Sequence, residues 1–199
     1  MLLADDGTLY SFNGTSLTLE KTPSSDKVTQ GTSDLESWYD TSNGNGYYIT
    51  TSAGANGDVM RWNGTSTLDE TWWTSTLGQS ALSSTTAWRP LLVYERNLFI
   101  GDAYQLHRID PALTVSNGIV QFEANERISA LGVDQGSGKM LVATSKGSNY
   151  SDTVNKSTFI YVYDGFSNKP SRKVPISGLV TAFKSVGNTT FVFYGNKPD

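Results

Sequence analysis

Apolar positions along this chain come in short bursts that alternate with polar ones. Thr8-Leu9-Tyr10-Ser11-Phe12 alternates and stops at Asn13-Gly14. Tyr47 to Thr51, Asn97 to Ile100, Lys139 to Thr144, Thr158 to Tyr163 and Thr190 to Tyr194 are aromatic and β-branched in the same manner. Each burst runs about 4–6 residues between Gly, Asn, Asp or Ser, the pattern of strands joined by turns. No long stretch keeps a helical period. The best helical candidate, Ala81 to Trp88, is crowded with Ser and Thr, whose hydroxyls compete for backbone hydrogen bonds in a helix interior. The pattern predicts a nearly all-β protein.

The bursts also repeat in order. Leu9-Tyr10-Ser11-Phe12-Asn13-Gly14-Thr15-Ser16 returns as Val59-Met60-Arg61-Trp62-Asn63-Gly64-Thr65-Ser66, 50 positions on. Looser copies follow at Leu106 to Pro111 and Ile160 to Ser167. Alternation places the apolar residues of each copy on one sheet face, and the Asx-Gly or Asx-Pro pair turns the chain. A more apolar strand precedes each copy: Leu2 to Ala4, Tyr47 to Ile49, Leu98 to Ile100, Met140 to Val142, and again Phe191 to Phe193 at the end. Before that comes a strand ending in a polar turn: Leu35 to Tyr39, Leu91 to Tyr94, Ile128 to Val133, Val180 to Val186. A more polar fourth strand follows the Asx turn: Leu17 to Lys21, Leu68 to Trp73, Leu113 to Phe122, Arg172 to Ile176. Four strands every ~40–50 residues is the period of a β-propeller blade.

On these residues the chain resembles the broad class of β-propeller repeat proteins. Ser137 to Thr144 and Tyr161-Val162-Tyr163-Asp164-Gly165 look like second and third blade strands of kelch-like and sensor-type propellers. The Gly-His and Trp-Asp pairs of WD40 repeats are absent, as is a clear double-glycine kelch signature, so no subfamily is assigned. The resemblance implies an all-β fold of about four to five four-stranded antiparallel blades. The alternative, a β-sandwich or stacked meander, does not predict one strand order four times. The expected units are residues 1–22, 33–76, 88–122, 126–177 and 178–199 of one propeller body. The first unit lacks its opening strand and the last holds two strands. Three explanations stand open: a piece of a larger propeller, an imperfectly closed small ring, or sheet edges capped by a partner.

Composition narrows the function. Ser and Thr make up roughly a quarter of the residues, far above ordinary usage. A hydrophobic content of 37% with 12% aromatics argues against a disordered linker. The chain has no Cys, which excludes disulfides, thiolate metal sites and a cysteine nucleophile. A net charge of −4 argues against nucleic-acid binding. Met1-Leu2-Leu3-Ala4-Asp5-Asp6 is not a signal peptide, and no apolar run approaches a membrane span, so no membrane insertion is expected.

Little in the sequence points to catalysis, and the expectation is a protein that is not an enzyme. His107 is the only histidine and is expected to be a half-exposed strand residue; no Gly-x-Ser-x-Gly elbow accompanies it. Gln135 to Lys139 is read as a β-turn, not a phosphate loop. The acidic turn residues Asp5, Asp6, Asp58, Asp110, Asp134 and Asp164 match no calcium-loop spacing. They are read first as turn formers, with Ca²⁺ at one of them as the alternative, and no cofactor is expected. Asn13, Asn63, Asn149, Asn155 and Asn188 begin Asn-x-Ser/Thr triplets, attributed to chance in so Asn/Ser/Thr-rich a chain.

The candidate contact residues are Trp72 and Trp73, expected on a strand with one ring facing outward or into a neighbouring blade and read first as inter-blade core, and Asn149, Tyr150 and Asp152 in the polar loop Lys146 to Ser157. The first functional expectation is a structural or interaction module, placed by compositional analogy in a virion (phage tail or capsid-associated) or an extracellular appendage. Its partners would be proteins of a larger assembly. The alternative is carbohydrate binding or a sugar-active propeller, with glycans as partners. An intracellular scaffold or sensor is third.

Overall fold

The structure, a computed structural model, describes residues 1–24, 32–51, 58–83, 88–146 and 157–195. Among them the strands form five antiparallel sheets, each a meander in chain order. The first holds β1 (Leu2–Leu3), β2 (Leu9–Phe12) and β3 (Leu17–Lys21). The second holds β4 (Thr32–Asp40), β5 (Gly44–Thr51), β6 (Val59–Trp62) and β7 (Leu68–Asp69). The third holds β8 (Leu91–Tyr94), β9 (Asn97–Asp102), β10 (Gln105–Ile109) and β11 (Val115–Gln121). The fourth holds β12 (Glu126–Asp134), β13 (Lys139–Lys146), β14 (Ser157–Tyr163) and β15 (Arg172–Ser177), and the last holds β16 (Leu179–Val186) and β17 (Thr189–Gly195). First strands pack side by side, β4 on β8, β8 on β12 and β12 on β16. The protein is all-β, with four-stranded antiparallel sheets arranged as propeller blades.

The recurring Asn-Gly-Thr-Ser motif has a direct physical cause. Asn63 Oδ1 accepts the backbone N–H groups of Thr65, Ser66 and Thr67 at 3.0–3.1 Å. Asn13 does the same for Thr15 and Ser16, at 3.0 Å each. Gly14 and Gly64 follow at φ +99° and +84°, where a side chain would be strained. Asp110 is the variant in the third sheet, capping Ala112 and Thr114 at 2.9 Å. The turns after β2, β6 and β10 are thus each closed by an Asx side chain that satisfies several backbone donors at once.

Alternation sorts the apolar residues into seams between sheets. Leu9 meets Ile49, Met60 and Trp62 between the first and second sheets. Trp38, Tyr48, Trp72, Trp73, Leu98 and Ile100 fill the next seam. Phe99, Leu106, Ile128, Met140, Tyr161 and Tyr163 fill the third. Ala130, Leu141, Ile160 and Val180 fill the fourth, with Phe183 and Val192 against them. The outermost faces remain bare. Leu2, Tyr10 and Leu19 pair in register across the first sheet, as do Phe12 and Leu17, and Leu2, Phe12, Leu17 and Leu19 are exposed. Phe191 and Phe193 on the last sheet are likewise exposed.

The expected strand Leu68 to Trp73 is corrected. It stops at Asp69, whose carboxylate accepts the Thr71 N–H, and Trp72–Thr76 forms a π-helical turn. Asp58 holds this turn, accepting the N–H groups of Trp73 and Thr74 and the Thr74 hydroxyl. The turn carries both indoles inward instead of to opposite sides of a strand. Ala81 to Ser83 and Trp88 are not helical, and residues 84–87 lie outside the described residues.

One polar group on a first strand couples the blades electrostatically. Glu36 of β4 is half-buried; that burial, and then the charge of Asp34, push its carboxyl up to about 7. The Ser37 N–H and Lys184 on β16 act the other way. The unfolded carboxyl titrates near 4.5, so the native state holds the extra proton between pH 4.5 and about 7. Stability from this group is therefore intact below pH 4.5 and falls as pH rises to about 7. Glu36→Gln removes the penalty: chemical denaturation should show equal stabilities at pH 4 and the variant ahead by about 1–2 kcal/mol at pH 8, allowing for partial exposure.

Candidate functional site

A cleft of about 720 Å³ opens at the β4–β5 turn. Ser37, Trp38 and Tyr39 enter it from β4, Asn45, Gly46 and Tyr47 from β5, and Trp62, Asn63 and Gly64 from the end of β6. Glu20 of the first sheet and Val93 and Arg96 of the third close its sides. Tyr47 and Trp62 are register partners on β5 and β6, with ring centroids 5.4 Å apart and planes at 30°. Tyr39 projects with half its surface in solvent (51%), while Trp38 and Trp62 form the buried floor. The Trp62 indole N–H has no acceptor among the described residues.

Beneath the cleft lies a buried polar lock. Tyr48 donates its hydroxyl to Asp40 Oδ2 at 2.8 Å and receives the Arg61 Nε–H at 2.9 Å. Arg61 also donates to the carbonyls of Asn43 and Asn45 at 3.2 and 3.3 Å. Asp40 Oδ1 accepts the N–H groups of Ser42 and Asn43. Burial pushes the Tyr48 phenol up, so it stays protonated and able to donate. A Cβ on Gly46 would sit 2.9 Å from Arg61 Nε, so a larger residue there would press on the guanidinium under the strand. The lock pins the β4–β5 turn that presents Tyr39 and Asn45.

Arg96 reaches the cleft from an unusual turn. Tyr94 and Asn97 pair, leaving Glu95-Arg96 as a two-residue hairpin loop with φ of +46° and +67°. Two positive φ values in such a loop favour Asn-Gly, and neither residue here is of that kind. The Arg96 carbonyl accepts the Trp38 indole N–H at 2.6 Å, which ties the turn to the cleft floor. The guanidinium is exposed at the rim.

The sequence-chosen contact residues lie elsewhere. Trp72 and Trp73 are each only 1% exposed, packed against Tyr48 and His107 respectively. Both rings are inter-blade core, taken by the seam between the second and third sheets; it is the strand expected to carry them that the π-helical turn replaces. Asn149, Tyr150 and Asp152 lie outside the described residues. His107 is corrected too, being 5% exposed on the seam face of β10 instead of half-exposed. Gln135 to Lys139 forms a turn closed by Gly138 N–H on the Asp134 carbonyl at 2.7 Å.

The acidic turn residues act on their own surroundings. Asp6 accepts the Thr8 N–H, Asp134 the Ser137 and Thr190 hydroxyls, and Asp164 pairs with Lys139 at 2.9 Å. Among the described residues no group of three or more His, Asp or Glu is placed to hold a metal ion. The cleft residues Tyr39, Tyr47, Asn45 and Arg96 were not singled out from sequence. The available signal was weak: Asn-Gly beside paired aromatics at Tyr47 and Trp62, and a charged pair where a hairpin turn wants Asn-Gly.

No protein-family model matches the chain, and no curated protein does. Among solved structures it is similar to the extracellular domain of a putative one-component system from B. thetaiotaomicron, with a TM-score of 0.56 at 14% identity. The match covers 94% of this chain and 24% of that one, so the chain spans about a quarter of the length of its structural neighbour. At that identity the likeness concerns the fold.

Replacing Glu95-Arg96 by Asn-Gly should relieve the turn and raise stability by about 1 kcal/mol. The cleft loses its cation at the same time. A higher denaturation midpoint together with weaker capture of any cleft ligand is the expected pair of readings; a lower midpoint would show that the turn carries no strain.

Proposed function

We propose that the chain is a non-catalytic recognition module of an extracellular β-propeller assembly, and that the Tyr39–Tyr47–Arg96 cleft is where it engages a protein partner. One observation carries this reading. A large recess joins exposed Tyr and Arg side chains to a rigid aromatic floor, the residue mix that dominates binding energy at protein interfaces. The side chains around it offer stacking and hydrogen bonding but no paired nucleophile and base. The nitrogens of His107 face Asn117 and Asp102 instead of a hydroxyl.

The bare apolar faces of the first and last sheets support membership of a larger propeller body, in which further blades cover them as the inner seams are covered. The extracellular setting is the neighbour's, and is proposed here through the shared fold. A weakly charged surface rich in Ser and Thr fits an assembly component of a virion or an appendage.

A second reading, glycan binding, is favoured by the neutral rim of Ser37, Asn45 and Asn63 around Tyr47. Panning the chain against a peptide library and a glycan array separates the two. The protein reading expects peptides whose affinity drops at least tenfold in Tyr39→Ala, with an unchanged denaturation midpoint because Tyr39 is half in solvent. Capture of glycans alone, with the same loss, supports the second reading. Ligands indifferent to Tyr39→Ala and Arg96→Ala would sink both.

A further inference from the structure

A second recess, of about 320 Å³, lies at the other end of the strands that support the cleft: Arg96 precedes β9 and Asp102 ends it. It is lined by Trp73, Gln79, Leu82, Asp102, Gln105 and His107, with Asn117 at its edge. Gln105 pairs with Asp102 and His107 with Ile100, so alternation puts these polar side chains on the seam face of the third sheet. They continue the apolar row of Leu98, Ile100 and Ile109 out to the mouth of the recess.

The hydrogen bonds fix the state of the imidazole. Asn117 Nδ2 donates to Gln79 Oε1 at 2.8 Å, which leaves Asn117 Oδ1 to face His107 Nδ1 at 2.9 Å. Two groups meet Nδ1: the Asn117 amide oxygen at 2.9 Å and, farther off at 3.4 Å, the Gly118 N–H; the shorter contact calls for a donor, so Nδ1 carries the proton and Nε2 presents a lone pair. Nε2 is buried with no hydrogen-bond partner among the described residues. Asp102 Oδ2 stands 4.0 Å away, and both Asp102 oxygens already accept the Ser83 N–H at 2.9 Å. Burial pushes the imidazole down, which keeps the ring neutral at physiological pH. Two acceptors therefore face each other with no donor between them, an arrangement that costs free energy until a donor arrives.

The missing group must supply O–H or N–H bonds. A cation is disfavoured, because Arg89 Nε lies 3.9 Å from Asp102 Oδ1 and Arg127 also acts on that carboxylate. A neutral hydroxyl meets the need without adding charge. Gln105 offers a further amide contact, the Gln79 amide being already bonded to Asn117 and the Leu77 carbonyl, and the volume sits at the small end of the ~300–1,000 Å³ span of ligand pockets. We propose that this recess binds a small neutral polyhydroxylated molecule of monosaccharide size, one hydroxyl donating to His107 Nε2 and a neighbouring one to Asp102 Oδ2.

The test is a titration of the full chain, followed by Trp fluorescence and calorimetry, with neutral hexoses, hexitols and, as a contrast, methylammonium. At least one neutral polyol should saturate the signal. Its affinity should fall about tenfold in Gln105→Ala, which is half-buried and tolerant of change, and in His107→Phe, which keeps an aromatic ring but removes the acceptor. Tyr39→Ala should leave it unchanged, so failure here is distinct from failure of the cleft reading. Absence of saturation by every polyol, saturation by methylammonium instead, or polyol binding that survives Gln105→Ala would each overturn the proposal.

Discussion

The packing of one sheet against the next is the constraint on which everything else here depends. A four-stranded meander offers two faces, and in the three middle sheets both are apolar, so neither can be left to water. Each side chain in a seam meets the adjoining sheet on one side and its own strand neighbours on the other. Trp72 and Trp73 show how strong this demand is. The β-strand that would have shown one of them to solvent is abandoned after two residues, and a π-helical turn delivers both to the seam. Burying two indoles is worth several kcal/mol, more than the few backbone hydrogen bonds of a longer β7.

Burying faces also buries the polar groups at strand ends, and the chain answers with carboxylates. Asp40 closes one turn and holds Tyr48 and Arg61. Asp58 closes the π-helical turn. Glu126 receives the hydroxyls of Thr144 and Tyr161 at 2.5 and 2.6 Å inside the fourth sheet. The low count of charged residues, 17%, is thus misleading about their role, since several of them are structural and internal. A buried carboxylate with its acceptor capacity filled specifies one turn geometry, because no other geometry would satisfy it. Asp102 differs from these in having an unanswered acceptor opposite it.

Strand order and the all-β class were legible because both follow from local chemistry. Alternation at Leu9-Tyr10-Ser11-Phe12 and the Asn13 and Asn63 turns need no knowledge of distant residues. The two recesses were not legible, because they depend on which blade covers which face. Trp72-Trp73 reads as a two-faced strand pair until Asp58, fourteen residues upstream of Trp72, is known to cap the turn. His107 reads as a half-exposed strand residue until the second sheet is placed over it. The Tyr39 cleft draws on three sheets at once, and no spacing within one repeat announces such a meeting.

The strands between the two recesses also give them different mechanical characters. At the cleft end, the lock of Asp40, Tyr48 and Arg61 is fully partnered, and its floor is held by the Trp38 bond to the Arg96 carbonyl. A partner landing there meets preorganised rings and loses little conformational entropy on its account. At the other end, the chain around Asp102 and His107 is built from a hairpin corner and the exit of the π-helical turn, and it leaves acceptors opposed. Preorganisation suits a large surface, where rigidity sets specificity. An unsatisfied pair suits a small ligand, whose few donors must each be worth more than the water they replace. The repeat that makes the fold thus yields two unlike recesses, because the strands it aligns end in different turns.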